Sequence, residues 1–474
     1  TPKEMLEGFS NKGMITVALL FLVSEGIRQS GTLGQVIKKL LPQGKTTVFK
    51  AQLRILPSVA FISAFLNNTP VVVIFAPIIK HWAKSVKLPA TKFLIPLSYV
   101  TILGGICTLI GTSTNLVVHG MILEAGYEGF TMFELGKVGI FIAIAGIIYL
   151  FIFSKRLLPD ARPDTAVPDE EVEEGEKLHR VEAVLGARFP GINKKLSDFN
   201  FQRHYGAEVK EIKTRNGQRY VDHLEDVVLR EGDTLVVMAD DTFIPTWGES
   251  SVFVLLTNGN DPDTSGKKKR WLALILLVLM IVGATVGELP ATKEMFPDIK
   301  LDMFFFVCIT TIIMAWTNIF PARKYTKYIS WDILITIACA FAISKAMVNS
   351  GVADCVAGFI IGLSDDYGPH VLLAILFVIT NLFTELITNN AAAALAFPLA
   401  LSISAQLGVS PTPFFVVICM AASASFSTPI GYQTNLIVQG IGNYKFTDFV
   451  RIGLPLNIIT FLISVILIPL IWNF

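Results

Sequence analysis

The sequence has few charged residues and few cysteines. Asp, Glu, Lys and Arg together make up 16% of the 474 residues, whereas hydrophobic residues make up 52%. This balance lies outside the range of ordinary soluble domains. The five cysteines stand singly, without a CxxC or a histidine-paired spacing, so we expect small core residues and neither a disulfide nor a metal site. The formal net charge of +1 gives no indication of a nucleic-acid partner.

The N-terminal sequence lacks the apolar centre of a signal peptide, and Thr1 is not an initiator methionine. Long apolar runs are present elsewhere, at 140–153, 271–286, 301–319 and 446–472. Each run could cross a hydrocarbon core with few charges, whereas a β-barrel would show short segments of alternating polarity. We therefore predict an α-helical, multi-pass protein of the cell (inner) membrane, with the lipid bilayer as partner, no enzymatic activity and no prosthetic group.

Three short motifs occur twice, about 320 residues apart. SEGIRQSG matches SKAMVNSG, the polar triplet NNT matches TNN, and GTSTNL matches GYQTNL. Internal repeats of this kind are typical of secondary transporters, which form a substrate site where the repeats meet. We predict membrane repeat 1 over 1–156 and membrane repeat 2 over 271–474. Because the counterparts of the apolar segments at 271–319 would precede residue 1, we expect repeat 1 to be N-terminally incomplete.

Residues 157–270 differ from both flanking parts because they are polar, with strand-like runs at 207–213 and 233–240 and a turn signal at 216–217. We predict a linker, including the acidic run at 169–176, and a small α+β domain. Basic residues flank this part on both sides, so the positive-inside rule places it in the cytosol. An odd number of crossings in each complete repeat would then make the repeats inverted.

Polar residues interrupt an apolar run at 64–79 and again at 385–400. The first triplet is followed by Pro70, which we expect to end or kink a helix. A further proline follows each triplet at the same distance, Pro77 in the first copy and Pro398 in the second. Both segments are therefore predicted to form re-entrant hairpins, whose tips expose polar groups to a cavity.

The segments at 104–118 and 423–438 contain glycine, hydroxyl residues and asparagine within apolar sequence, which favours unwound stretches inside helices. Carbonyl groups there could coordinate a hard cation such as sodium, and the adjoining helix N-termini could bind an anion. Interhelical hydrogen bonding is the alternative role for any single Asn, Ser or Thr, but matched positions in two repeats favour binding. Glu385, which aligns with Ala64 of repeat 1, could serve hydrogen bonding or proton coupling.

At these motifs the sequence resembles the divalent anion:sodium symporter family of the ion transporter superfamily. The paired Ser-Asn-Thr signatures of that family correspond to the triplets at 67–69 and 388–390, which keep the central asparagine. Dicarboxylate members often have Thr-Pro where this sequence has Tyr-Gln at 432–433, a difference that speaks against a carboxylate substrate. The segment from 182 to 240 resembles a TrkA C-terminal (RCK_C) domain.

The resemblance implies two sodium sites, an anion site, a homodimer and an elevator-type movement. The first sodium site would be formed by Ser63, Asn67, Asn68 and Gly111. The second would be formed by Thr384, the carbonyl of Ile387, Asn389 and Gly431. The anion would contact Asn67, Asn68, Thr69, Thr388, Asn389 and Asn390, in a cavity also lined by Thr112, Ser113, Tyr432 and Gln433.

These observations predict sodium-coupled symport of a small divalent oxyanion, with sulfate as the leading substrate and a C4-dicarboxylate as the alternative. A proton-coupled transporter that uses Glu385 is a more remote alternative. A gated ion channel is also more remote, because the sequence contains no TVGYG-like selectivity filter. The predicted cytosolic domain would either bind a small ligand, such as a nucleotide, or serve assembly and stability alone.

Overall fold

The computed structural model describes residues 1–42, 44–160, 179–186, 188–214, 218–240, 243, 247, 252–257, 267–296, 299–362 and 368–474. The acidic run at 169–176 and the turn at 216–217 lie outside the described residues. In the described part, α-helices form both ends of the chain and a β-sheet lies between them in sequence.

The first helical part is continuous from the N-terminus to residue 157, apart from short connections. Its helices are α1 (Pro2–Glu7), α2 (Lys12–Gln29), α3 (Thr32–Leu40), α4 (Val48–Ser63), α5 (Asn68–Ser85), α6 (Leu94–Gly105), α7 (Ser113–Glu124) and α8 (Gly136–Leu157). Short 3-10 turns lie at Gly8–Ser10 and Ala90–Lys92. Asn11 caps α2 by accepting a hydrogen bond from the Gly13 amide at 2.8 Å.

The second helical part begins with two helices that precede the repeat. Its helices are α10 (Lys267–Gly287), α11 (Pro290–Met295), α12 (Met303–Trp316), α13 (Tyr325–Tyr328), α14 (Trp331–Asn349), α15 (Val352–Gly362), α16 (Gly368–Leu386), α17 (Asn389–Leu407), α18 (Thr412–Ser423), α19 (Gln433–Gly442) and α20 (Phe446–Ile471). A 3-10 turn lies at Ala322–Lys324. Helices α2 to α8 correspond in order to α14 to α20, so the sequence repeat is a repeat of structure.

Several helices are long and apolar enough to cross a bilayer. Among the described residues, six pass by length and composition: Pro2–Gln29, Gly136–Leu157, Lys268–Gly287, Gly368–Leu386, Asn389–Leu407 and Phe446–Ile471. Helix α8 has an exposed apolar stripe that includes Ile140, Ile144 and Ile148, while Ile142 and Leu150 are fully buried. An apolar stripe on the outside of a helical bundle suits contact with lipid. The prediction of a multi-pass helical membrane protein is confirmed.

The equivalent helices α7 and α19 end beside different parts of the molecule. At the end of α7, Glu124 accepts a hydrogen bond from Asn11, which precedes α2. At the other end of α2, past α3, the Pro42 carbonyl accepts a hydrogen bond from Trp82 of α5. Helix α19, the counterpart of α7, ends on this second side, where Gly440 packs against the β-sheet that also contacts α5. The inverted orientation of the two repeats remains a prediction.

The middle part contains a five-stranded antiparallel sheet in the order β3-β2-β4-β1-β5. Its elements are β1 (His179–Leu185), α9 (Phe201–Tyr205), β2 (Glu208–Lys213), β3 (Arg219–Tyr220), a 3-10 turn (Leu224–Asp226), β4 (Thr234–Ala239) and β5 (Phe253–Thr257). The predicted strands at 207–213 and 233–240 are confirmed as β2 and β4. An aromatic core that includes Phe189, Phe199 and Phe253 packs against the sheet and is separate from the core of the helical parts.

The cysteines differ in burial. All five are free, and Cys419 is fully buried, as expected for a small core residue. Cys339 and Cys355 are exposed on α14 and α15, so the prediction of a core position is wrong for these two. A membrane helix can carry a small apolar side chain on its outer face, because that face meets lipid rather than water.

Candidate functional site

The first half of the candidate site lies where α4 ends and α5 begins. Helix α4 ends at Ser63, and α5 begins at Asn68 with Asn67 as its N-cap, whose Oδ1 accepts from the Thr69 amide at 3.4 Å. The prediction that Pro70 ends or kinks a helix is wrong. Pro70 lies in the first turn of α5, where its missing N–H removes no intrahelical hydrogen bond.

The second half of the site has the same construction. Helix α16 ends at Leu386, and α17 begins at Asn389 with Thr388 as its N-cap. Pro77 and Pro398 occupy the same position within α5 and α17. Both polar triplets therefore lie at a break between two helices, where one helix ends and the next begins.

Each repeat contains a second break. Helix α6 ends at Gly105 and α7 begins at Ser113, while α18 ends at Ser423 and α19 begins at Gln433. The N-caps Thr112 and Tyr432 have extended backbones. These breaks place further helix N-termini beside the polar triplets.

In repeat 1, hydroxyl, amide and carbonyl oxygens converge around Asn68. Ser63 Oγ donates to Asn68 Oδ1 at 2.7 Å, and both side chains are fully buried. A Cβ on Gly105 would lie 2.7 Å from Asn68 Oδ1 and 3.1 Å from the Gly111 carbonyl oxygen. Glycine is required at this point because the backbone approaches the amide so closely.

Repeat 2 has the equivalent hydrogen bond around Asn389. Thr384 Oγ1 lies 2.8 Å from Asn389 Oδ1 and 2.6 Å from the Ala422 carbonyl oxygen. A Cβ on Gly431 would lie 2.3 Å from the Thr384 carbonyl oxygen. The structure thus brings Ser63, Asn68 and Gly111 together in one repeat, and Thr384, Asn389 and Gly431 together in the other.

Two pairs of polar residues outside the predicted ligand sets stabilise the breaks. Thr108 Oγ1 donates to the Ala64 carbonyl, and its counterpart Thr428 Oγ1 donates to the Glu385 carbonyl at 3.0 Å. Asn115 Nδ2 donates to the Thr108 carbonyl at 2.9 Å, as Asn435 Nδ2 does to the Thr428 carbonyl at 3.1 Å. Asn115 and Asn435 belong to the repeated TNL motif, so the sequence indicated the second pair without assigning its role.

Hydrogen bonds also link each repeat to the other. Ser113 Oγ donates to Asn390 Oδ1 at 3.3 Å, and the equivalent pair is Thr69 Oγ1 with Gln433 Oε1, also at 3.3 Å. Thr114 Oγ1 donates to the same Asn390 oxygen at 3.2 Å. Because α5 meets α19 and α17 meets α7, four helix N-termini converge on one polar region.

Tyr432 lies between the two halves. Asn68 Nδ2 donates to the Tyr432 hydroxyl oxygen at 2.5 Å, and Thr112 Oγ1 lies 3.2 Å from the same oxygen. The side chain is 8% exposed. A residue of repeat 2 therefore completes the polar surroundings of the central asparagine of repeat 1.

Three predicted site residues lie at the edge of this cluster. Asn67 lines a small cavity together with Ser24 of α2 and Ser113. Ile387 and Thr388 are exposed at the connection between α16 and α17. Their predicted roles in sodium or anion binding remain predictions.

Glu385 has hydrogen-bond partners outside the cluster. Its Oε1 accepts from the Ser427 amide at 2.9 Å and from Asn457 Nδ2 at 2.7 Å. These contacts join α16 to the break before α19 and to α20. They correspond to the hydrogen-bonding role that the sequence left open.

The site consists of neutral oxygen and amide groups at helix N-termini. None of the predicted site residues is basic. Oxygen atoms are suitable ligands for a hard cation, and N-terminal amides carry partial positive charge that favours an anion. Helical repeats with breaks that meet at one polar site have the organisation of a secondary transporter.

Comparison with known proteins identifies the family. Residues 1–401 and 298–474 match the sequence profile of the citrate transporter family (CitMHS), and the chain belongs to this family. It is 30% identical over 558 aligned residues to an uncharacterized transporter of Synechocystis sp., a match that covers 100% of this chain and 91% of that protein. The class is therefore a non-enzymatic, multi-pass membrane transporter.

Two further relatives have names that include an anion. Sodium/sulfate cotransporter 2 of Chlamydomonas reinhardtii is 30% identical over 281 residues, which cover 59% of this chain and 31% of that protein. A sodium-dependent dicarboxylate transporter of Staphylococcus saprophyticus is 25% identical over 145 residues, which cover 31% of this chain and 28% of that protein. The anion of this chain is not settled by these names, and the TrkA C-terminal domain remains a prediction.

Proposed function

We propose that this protein is a sodium-coupled symporter of a small divalent oxyanion, with sulfate as its substrate. The observation that carries this proposal is the matched pair of half-sites, in which Ser63–Asn68 and Thr384–Asn389 have the same hydrogen bond and lie beside the same kind of helix break. Two equivalent sets of oxygen ligands suit two sodium ions on either side of one anion.

The sodium ions would be held by oxygen atoms alone. One site would use Ser63, Asn68 and Gly111, with Asn67 at its edge, and the other would use Thr384, Asn389 and Gly431, with the Ile387 carbonyl. Hydroxyl, amide and carbonyl oxygens are ligands that hard cations accept. Bound sodium would also offset the charge of a dianion in a site that has no basic side chain.

The anion would lie between these sites at the converging helix N-termini. Its ligands would be neutral hydroxyl, amide and backbone groups, which hydrogen-bond an oxyanion without adding charge. The proposed contacts are Asn67, Asn68, Thr69, Thr388, Asn389 and Asn390, with Thr112, Ser113, Tyr432 and Gln433 around them. Sulfate is preferred over a C4-dicarboxylate because the sodium/sulfate relative aligns over a larger share of this chain than the dicarboxylate relative does.

Movement of the site across the membrane would follow an elevator mechanism within a homodimer. The tip residues Phe65, Leu66 and Asn67 line a small, mostly apolar cavity together with residues of α2 and α10. Apolar contacts of this kind can slide, since they involve few directional bonds. In this proposal α2 and α10 belong to the stationary part, and α5, α7, α17 and α19 belong to the moving part.

The β-sheet part would lie in the cytosol, on the side of the cell (inner) membrane where the basic flanks at 155–156 and 267–270 are retained. It would act as a regulatory module that binds a small ligand, such as a nucleotide, or as an assembly module. Its contacts with α5 and α19 favour an influence on transport, because both helices begin at the proposed anion site.

The test is uptake of labelled sulfate into proteoliposomes with and without an inward sodium gradient. We expect sodium-dependent uptake that excess succinate does not reduce. Sodium-driven succinate uptake without sulfate uptake would instead identify the C4-dicarboxylate symporter. Uptake driven by a proton gradient without sodium would support the proton-coupled alternative, and channel-like currents would support the channel.

A further inference from the structure

Charged residues are distributed unequally between the two repeats. Residues 26–123 of repeat 1 contain ten Lys and Arg residues and no Asp or Glu. The corresponding residues of repeat 2, 346–443, contain four Asp and Glu residues and no Lys or Arg. The positive-inside rule accounts for the sign of this difference, but it does not say where the cations lie on the surface of the folded chain.

Helix α3 is a short amphipathic helix with two of these cations at its end. Leu33, Gly34 and Ile37 are buried, whereas Lys38 and Lys39 are exposed. The counterpart in repeat 2, α15, also has a buried face, but its sequence VADCVAGFIIG contains no basic residue. A basic amphipathic helix is typical of a segment that lies at a membrane surface.

The start of α4 adds further cations to the same surface. Lys50 and Arg54 lie one helical turn apart and are exposed, and Lys45 is exposed in the connection from α3. Arg54 Nη2 donates to the Lys39 carbonyl at 3.0 Å, which joins the start of α4 to the end of α3. The guanidinium group has further donors that could bind a phosphate oxygen. We call Lys38, Lys39, Lys45, Lys50 and Arg54 the basic surface.

The basic surface adjoins an apolar face on the same helix. Phe61 follows Lys50 by eleven residues and Arg54 by seven, and these spacings place all three on one side of α4. The Phe61 side chain is 70% exposed. Cations at the start of a helix, with an exposed apolar side chain further along the same face, match the change from headgroups to hydrocarbon within one leaflet.

The basic surface lies at the end of the bundle where the sheet part contacts the helices. The Pro42 carbonyl, two residues after α3, accepts from Trp82 Nε1 of α5 at 2.9 Å. Lys80 of the same helix lies 3.0 Å from the Glu182 carboxylate of β1. In the proposed topology this end faces the cytosolic leaflet, whose anionic lipids attract basic segments.

We propose that the basic surface binds the phosphate groups of anionic phospholipids in this leaflet. Lysine and arginine donate charge-assisted hydrogen bonds to phosphate oxygens, and each cation close to an anionic membrane surface adds to the binding. The acyl chains would lie along the exposed face of α4 that includes Phe61. The bound headgroups would hold α3, which connects α2 to α4, at the membrane surface.

The test is native mass spectrometry of the full chain in detergent, with phosphatidylglycerol or phosphatidylcholine added. The wild type should bind phosphatidylglycerol in preference to phosphatidylcholine. The double variant Lys38→Gln, Lys39→Gln should bind phosphatidylglycerol at least roughly tenfold more weakly, because two cations are removed, and should bind phosphatidylcholine as the wild type does. The double variant Lys38→Arg, Lys39→Arg keeps both charges and should keep the preference.

The matched control is Lys293→Gln, Lys300→Gln, which removes two exposed lysines near the other end of α2, where Lys12 pairs with Asp302. This control should bind both lipids as the wild type does. The proposal is overturned if the Lys38 and Lys39 glutamine variant keeps its affinity for phosphatidylglycerol, or if the control loses as much.

Excess glycerol phosphate separates a lipid site from a site for soluble phosphate compounds. It should not displace phosphatidylglycerol, because the acyl chains contribute to binding through the apolar face of α4. Displacement by glycerol phosphate would overturn the assignment to a lipid. The measurement requires no transport, so its result is independent of the transported anion.

Discussion

At the scale of single residues, Asn68 and Asn389 have equivalent positions in the two repeats. Each is the first residue of its helix and shares a hydrogen bond with a hydroxyl residue from the preceding helix. In our proposal each amide contributes to a sodium site through its oxygen and lies beside the anion. Loss of either side chain should therefore affect both ligands.

We predict that Asn68→Ala and Asn389→Ala each raise the half-saturation concentrations for sodium and for sulfate about tenfold, which corresponds to about 1.4 kcal/mol. The measurement is uptake as a function of each ligand concentration in proteoliposomes. Asn349→Ala, at an exposed amide near the end of α14, should leave both values unchanged. A variant with weaker sulfate binding and unaltered sodium dependence would contradict the shared role.

The sequence identified these asparagines because their positions repeat. It did not identify Thr108 and Thr428, whose hydroxyl groups donate to the Ala64 and Glu385 carbonyls, three residues before each triplet. Threonine is common in membrane helices, where it usually bonds within its own helix. Only the folded arrangement distinguishes these two threonines from Thr380, which bonds to the Leu376 carbonyl within α16.

At the scale of elements, the candidate site is formed by the breaks between helices rather than by the middles of the helices. A break that lies beside a buried amide requires a backbone without a side chain at the point of contact. Gly105, the last residue of α6, has this position, because a Cβ there would lie 2.7 Å from Asn68 Oδ1. Its counterpart in repeat 2 is Ser425, so the requirement belongs to repeat 1 alone.

We predict that Gly105→Ala displaces the Asn68 amide. The half-saturation concentration for sodium, measured by uptake into proteoliposomes, should rise at least tenfold, and the melting temperature of the protein should fall. Gly358→Ala is the control, because a Cβ at this glycine of α15 would meet only the Gln406 side chain at an ordinary 3.7 Å. Gly358→Ala should leave the free energy of unfolding unchanged or raise it by up to about 1 kcal/mol, because alanine favours a helix more than glycine does. Unchanged sodium affinity in Gly105→Ala would exclude Asn68 from the sodium site.

Some features of the elements could not be decided by sequence pattern. The sequence predicts that Pro70 breaks a helix, yet Pro70 lies in the first turn of α5, because the first turn of a helix tolerates proline. Helices α16 and α17 are each long enough to span a bilayer, so length does not separate a re-entrant hairpin from two spans.

At the scale of the whole molecule, the β-sheet part contacts the helices that begin at the site. Lys80 of α5 lies 3.0 Å from both carboxylate oxygens of Glu182 in β1, and Lys213 of β2 lies 3.3 Å from one of them. Leu436 of α19 lies directly against Gly232, which precedes β4. A movement of the site helices would therefore be transmitted to the sheet.

Burial raises the pKa of Glu182, but Lys80 and Lys213 outweigh burial and lower the pKa to about 2. A depressed carboxylate pKa stabilises the contact above the ordinary value of 4.5, and this stabilisation is lost as the pH falls towards 2. The contact should accordingly be insensitive to pH across the neutral range.

We predict that Glu182→Gln weakens this contact by about 3 kcal/mol, because two lysines lose the charge that compensates them. The expected results are faster limited proteolysis of the sheet part and a changed maximal rate of sulfate uptake, with an unchanged half-saturation concentration. Asp226→Asn removes an exposed ion pair with Lys195 and should change neither result. Uptake kinetics that stay the same after release of the sheet part would exclude a regulatory role.

Hydropathy, strand pattern and repeated motifs are local properties of the chain, so they were sufficient to predict the membrane class, the two repeats, strands β2 and β4 and the polar triplets. Which residues meet depends on the tertiary structure. Asn68 and Tyr432 are 364 positions apart, and Ser113 and Asn390 are 277 apart. No local pattern encodes these pairs, since they form only when the folded chain places the N-termini of helices from both repeats side by side.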